Sequence, residues 1–92
     1  MTRLSDSEIR QRLQDLSGWT RREDSIVKEY EFDDFVGAIE FVRAVAARAE
    51  EANHHPDIEI HYNKVKLTLS THSEGGVTEK DIEAAGSFDQ SA

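Results

Sequence analysis

The chain has no cysteine in its 92 residues, which excludes disulfides, thiolate nucleophiles and cysteine-ligated zinc or iron-sulfur centres. It has a single proline, Pro56, and no low-complexity run, so little in it favours disorder. No apolar stretch approaches the ~20 residues needed to cross a bilayer. The start, Met1-Thr2-Arg3-Leu4-Ser5-Asp6, lacks the apolar core of a signal peptide. The expectation is a cytoplasmic protein with no membrane partner. Positive charge is also scarce: 11 basic against 19 acidic residues leave a formal net charge of -8. Such a surface repels polyphosphate backbones, so nucleic acid is not an expected partner.

What is present is strong local periodicity in a chain whose length suits one domain over residues 1–92. Ser5-x-x-Glu8 reads as a capping box that opens a helix with Ile9, Leu13 and Leu16 on one stripe, and Gly18 follows its end. Two short strands are expected around Arg22-Glu23-Asp24-Ser25, with Ile26, Lys28, Tyr30 and Phe32 sharing one parity in the second. Trp19 is expected in the core, and Lys28 to cover the core edge with its aliphatic stem. Asp33 or Asp34 caps a long helix whose stripe is Phe35, Ala38, Ile39, Val42, Val45, Ala46 and Ala49. That helix ends by Asn53, because the residue before a proline is biased away from helical geometry.

Beyond Pro56, Ile58, Ile60 and Tyr62 alternate with polar residues, as do Val65, Leu67 and Leu69 after an expected Asn63-Lys64 turn, so a half-buried hairpin is predicted. Thr78-x-x-Asp81 opens a last helix with Ile82 and Ala85 inward. The order is α-β-β-α-β-β-α. The fold class is α+β, a four-stranded antiparallel sheet with three helices packed on one face, leaving Asp57, Glu59 and Lys66 on a wet opposite face.

All four histidines fall in the second half of this pattern; His54 and His55 directly precede Pro56, and His72 follows the last strand-like run. Imidazole exchanges protons near neutrality without special tuning, so acid-base chemistry is the first hypothesis. Regular alternation places Ser70 and His72 on one side and turns Thr71 to the other. Glu50 lies about one helical turn before the histidine pair, where its carboxylate can reach a guanidine-like ligand edge or orient a histidine. His61 sits among polar neighbours and reads as a surface residue. Gly75-Gly76 reads as a sharp turn after His72.

The series Glu50-Glu51-Ala52-Asn53-His54-His55-Pro56-Asp57, Tyr62-Asn63-Lys64-Val65, Leu69-Ser70-Thr71-His72, Gly75-Gly76 and Thr78-x-x-Asp81-Ile82 resembles the pterin-4a-carbinolamine dehydratase family. Leu16-x-Gly18-Trp19, Ile26 to Phe32 and Asp34-Phe35 extend the resemblance over nearly all of residues 13 to 85. It implies dehydration of a 4a-hydroxytetrahydropterin to the quinonoid dihydropterin, with a small-molecule pterin as substrate, no cofactor, no metal, and a homodimer or homotetramer. It maps the family's catalytic histidines onto His54, His55 and His72. The pterin pocket maps onto Glu50, Asn53, Ser70 and Thr71, and Asp81 matches an acidic residue close to the third histidine. Within this set, His54 and His72 are expected to carry the protons, with His55 mainly holding substrate. Ile58 departs from the pattern by replacing a common tryptophan, and His61 by replacing an apolar residue.

Three other readings compete. Zinc held by His54, His55, His72 and Glu50 is disfavoured because adjacent side chains in extended backbone diverge. A non-catalytic pterin-binding or protein-interaction module, like relatives that act as dimerisation cofactors of a transcription regulator, has no need of all three histidines. A role linked to molybdenum-cofactor metabolism stays within pterin chemistry.

Overall fold

The computed structural model describes residues 2–92. Helix α1 (Asp6–Leu13) starts at the expected capping box, in which Ser5 Oγ accepts from the Glu8 N-H and the Glu8 carboxylate accepts from the Ser5 N-H. These hydrogen bonds hold the exposed Glu8 carboxyl below its usual range. Strands β1 (Thr20–Arg22) and β2 (Ser25–Glu31) flank the turn at Glu23 and Asp24. Helix α2 (Phe35–Ala52) is capped by Asp34, whose side chain accepts from the Gly37 N-H. Strands β3 (Asp57–His61) and β4 (Lys64–Leu69), a 3-10 turn (His72–Glu74) and helix α3 (Glu79–Asp89) complete the chain.

The architecture is α+β in the expected order, and the fully antiparallel sheet runs β1-β2-β4-β3. Register brings Ile26 opposite Leu69 and Tyr30 opposite Val65, so these residues and Leu67 share the face that meets the helices. Helix α2 supplies Ala38, Phe41, Val45 and Ala49 to that core, α1 supplies Ile9, and α3 supplies Ala84, Ala85 and Phe88. Trp19 is buried with them, as expected.

Two expectations change. On α2 the buried seam is narrower than the apolar stripe read from sequence: it includes Phe41, which that stripe omitted, while Phe35 and Ala46 are exposed. Apolar residues wrap more than one side of this helix, and periodicity alone does not say which side faces the sheet. The second change concerns the hairpin. Its turn is Tyr62-Asn63, with Tyr62 at φ 55° and the Asn63 side-chain amide donating to the Phe32 carbonyl. Strand β3 is not half-buried: all five of its residues are exposed, including Ile58 and Ile60 on the core-facing parity. As the edge strand, β3 extends beyond the helical cover.

One polar cluster ties α3 to the sheet. The Asp89 carboxylate accepts from the Trp19 indole N-H, the Lys28 ammonium and the Tyr30 hydroxyl, the last at 2.5 Å. Lys28 also donates to the Ser17 carbonyl and lies over the Tyr30 ring, so its stem covers the core edge as expected. Burial, and then the neighbouring Asp89 carboxylate, push the Tyr30 phenol well above its ordinary range. A raised folded-state pKa contributes stability that is complete below the unfolded value, about 10, and is lost as pH rises above it. Tyr30→Phe is therefore expected to lower unfolding free energy by ~1.5–3 kcal/mol at pH 7. Urea titrations at pH 7 and pH 11 should show the gap between wild type and variant shrinking at the higher pH.

Candidate functional site

Helix α2 ends in a way that sets the directions of the two adjacent histidines. Asn53 adopts the left-handed conformation (φ 52°, ψ 43°), and the His54 N-H then bonds back to the Ala49 carbonyl. Asparagine tolerates this conformation better than most residues because its short polar side chain can bond locally. The chain reverses, and His54 and His55 part company.

His54 turns inward. Its Nε2 lies 2.6 Å from Asp81 Oδ1, with 12% of the histidine side chain and none of the Asp81 side chain exposed. The other Asp81 oxygen accepts from the Thr71 hydroxyl at 2.8 Å and the Thr78 N-H at 2.9 Å. The Thr71 and Thr78 hydroxyls lie within hydrogen-bond distance of each other. Asp81 is thus both the capping-box acid of α3 and the partner of His54. An ionised carboxylate only accepts, so with Asp81 ionised the proton of this bond is carried by His54 Nε2. His54 borders a cleft between α2 and α3, with Arg48, Lys80, Glu83 and Phe88 around it.

His55 turns outward. Its Nε2 is 2.5 Å from Glu50 Oε2, and both side chains are largely exposed. His72 opens the 3-10 turn, within a loop closed by reciprocal backbone hydrogen bonds between Thr71 and Gly76. Gly75 ends that turn at φ 73°, a left-handed conformation suited to glycine. At Gly76 an added Cβ would stand 2.5 Å from Arg3 Cδ, so the absence of a side chain lets the N-terminal segment lie across this loop.

A cavity of about 260 Å³ opens between these parts. His55 and His72 line it together with Ser70, Thr68, Asp57 and Asp24. Ser70 also donates from Oγ to the Asp24 carbonyl, tying the end of β4 to the β1–β2 turn. Ser70 and His72 therefore share a side, as the alternation predicts, while Thr71 is buried on the other. The arrangement differs from expectation in one respect: His55, rather than His54, shares the cavity with His72. Asn53 serves the helix cap, Glu50 reaches the cavity only through His55, and Asp81 stands against His54. Among the described residues, no group of three or more histidine, aspartate or glutamate side chains is arranged to hold a metal ion. His61 is exposed, as expected.

The same chain matches, over residues 2–91, the family model described as pterin 4 alpha carbinolamine dehydratase. The chain belongs to this family. A Picosynechococcus relative named provisionally as a pterin-4-alpha-carbinolamine dehydratase is 47% identical, covering 97% of each chain. A Roseiflexus relative with the same provisional name is 52% identical, covering 97% of this chain and 96% of its own. A solved structure from Brucella melitensis, described as a transcriptional coactivator/pterin dehydratase, superposes with a TM-score of 0.96 at 40% identity over 99% of both chains. A pterin dehydratase-like protein described as a RuBisCO assembly factor in the alpha-carboxysome shares the fold at TM-score 0.68 and 24% identity, covering 80% of this chain and 86% of its own.

Asp57, Asp24 and Thr68 were not among the site residues expected from sequence. Asp57 carried a weak signal, standing directly after His55-Pro56, whereas Asp24 arrives from a distant turn. The buried network makes its own prediction. Asp81→Ala leaves His54, Thr71 and the Thr78 N-H without their acceptor, and is expected to lower unfolding free energy by at least ~1–3 kcal/mol in urea titration. Nitrogen-resolved imidazole NMR of wild type should show His54 protonated on Nε2; a neutral ring protonated only on Nδ1 would contradict the network.

Proposed function

We propose that the protein dehydrates 4a-hydroxytetrahydropterins to quinonoid dihydropterins, and that the cavity shared by His55 and His72 is where this occurs. The reaction breaks the C4a–O bond, forms the C4a=N5 double bond, releases the N5 proton and expels water. One group must protonate the departing hydroxyl and another must accept the N5 proton. Two imidazoles facing one cavity supply both, and this juxtaposition is the observation that carries the proposal.

Their settings suggest a division of labour. His55, with its Nε2 proton directed at Glu50, has Nδ1 as its accepting nitrogen, and the carboxylate stabilises the imidazolium that forms. In this reading His55 takes the N5 proton and His72 delivers a proton to the leaving oxygen. Ser70 and the backbone at Thr71 position the ring. His54 and Asp81 hold the floor beneath the site, with His54 acting through placement of the His55 backbone. Asn53 supports the same turn.

The test is a 4a-carbinolamine dehydration assay on wild type, His54→Ala, His55→Ala and His72→Ala. Wild type should accelerate the reaction over background, and loss of His55 or His72 should cost ~10²- to 10⁴-fold in kcat/KM. No acceleration by wild type overturns the enzyme reading. A greater loss in His54→Ala than in His55→Ala, with His54→Ala still folded, restores His54 as the proton carrier.

We infer in addition that the protein self-associates through the β3 edge. All of β3 is exposed, and Ile58, Ile60 and Tyr62 combine with Phe35 and Val36 of α2 as large exposed apolar residues. An unpaired strand with apolar residues beside it is a ready surface for a symmetric partner. Light scattering coupled to size exclusion should give a mass above the 10.4 kDa of one chain. Ile60→Lys should shift it toward the monomer, and a monomeric wild type at micromolar concentration rejects this arrangement.

A further inference from the structure

The acid expected to receive the guanidine-like edge of a pterin, Glu50, is occupied by His55, and Asp81 is fully buried by its own partners. The cavity nevertheless has two carboxylates on its wall, Asp24 and Asp57. Among the described residues neither carboxylate takes part in an ion pair. No lysine or arginine lines the cavity. Its wall therefore offers carboxylate acceptors beside two imidazoles, a composition that selects a ligand rich in N-H donors and free of negative charge.

We propose that Asp57 is the specificity anchor of this cavity, accepting the paired N-H donors of a 2-amino-4-oxopyrimidine edge. The proposal rests on the dehydratase reading and adds how the substrate is oriented. In the lactam form this heterocycle presents N3-H and the 2-amino group side by side, a geometry that suits the two oxygens of one carboxylate. Asp57 is separated from His55 only by Pro56, whose ring restricts the backbone φ, so the anchor and the proposed proton acceptor are held at a short, stiff chain separation. Asp57 is also the first residue of β3 and lies opposite Thr68, another wall residue, in the ladder with β4. Asp24 lies instead on the exposed β1–β2 turn, outside the strand ladder, tied to β4 at its backbone carbonyl by Ser70. The sheet thus fixes Asp57 more firmly.

The experiment measures fluorescence-detected binding of 6-methyl-7,8-dihydropterin and of its counterpart lacking the 2-amino group. Wild type, Asp57→Ala, Asp57→Asn and Asp24→Ala are compared, alongside the dehydration assay. Wild type should prefer the intact pterin ~10- to 100-fold, the range expected for hydrogen bonding to a charged group. Asp57→Ala should bind both compounds alike and raise KM for the carbinolamine by a similar factor, with kcat little changed. Asp57→Asn, which keeps one acceptor and loses the charge, should recover part of the preference. Because Asp57 is exposed on an edge strand, its variants are expected to retain the wild-type thermal transition. Equal wild-type affinity for the two compounds overturns the anchor, as does a preference that survives Asp57→Ala or is lost only in Asp24→Ala. Absence of dehydration with the preference intact defeats the reaction reading while leaving the anchor in place; normal dehydration without the preference defeats the anchor alone.

Discussion

The Asp81 carboxylate is the interaction on which the rest of this structure depends. A charge taken wholly out of water is costly unless its hydrogen-bonding capacity is met. Here His54, Thr71 and the first turn of α3 meet it together. Three segments are consequently pinned to one point: the end of α2, the strand exit before His72, and the start of α3. The fold and the candidate site cannot be separated at this position, because the group that caps a helix also fixes the floor under two other histidines.

The capping boxes at Ser5 and Thr78, the α2 cap at Asp34 and the alternation in β4 were legible in sequence because each depends on neighbours within a few residues. The helix seam at Phe41 and the exposure of β3 were not, since both depend on where the helices sit over the sheet. The site divides in the same way. The histidines, Ser70 and Asp81 stood out by type and by family resemblance, and the inward turn of Thr71 followed from strand parity. The exchange of His55 for His54 at the cavity arises from the left-handed Asn53 and from two carboxylates, one buried and one exposed, that draw adjacent imidazoles apart. Asp24 joins through the antiparallel pairing of β2 with β4, which spacing along the chain does not reveal.

Membership of the pterin-4a-carbinolamine dehydratase family gives this arrangement its chemical setting. The neighbours include proteins described as a coactivator/dehydratase and as an assembly factor, so one scaffold accompanies differing descriptions. The local geometry adds a distinction that the fold does not make: one histidine-carboxylate pair is largely buried against α3, and the other is exposed at the mouth of a cavity. A buried pair supports shape, whereas an open pair can meet a small molecule.

The reversal at Asn53 carries a consequence for how this sequence can vary. Consecutive residues there face opposite environments, so the chain has a phase, like a screw thread whose alternate turns engage different parts. Inserting a single residue between Asn53 and His54 would shift that phase, carrying His54 to the outward position and His55 past it, with every residue type preserved. Length is therefore as strictly constrained as identity in this segment, and tolerated variation should take the form of substitution, with insertions and deletions confined to more distant loops.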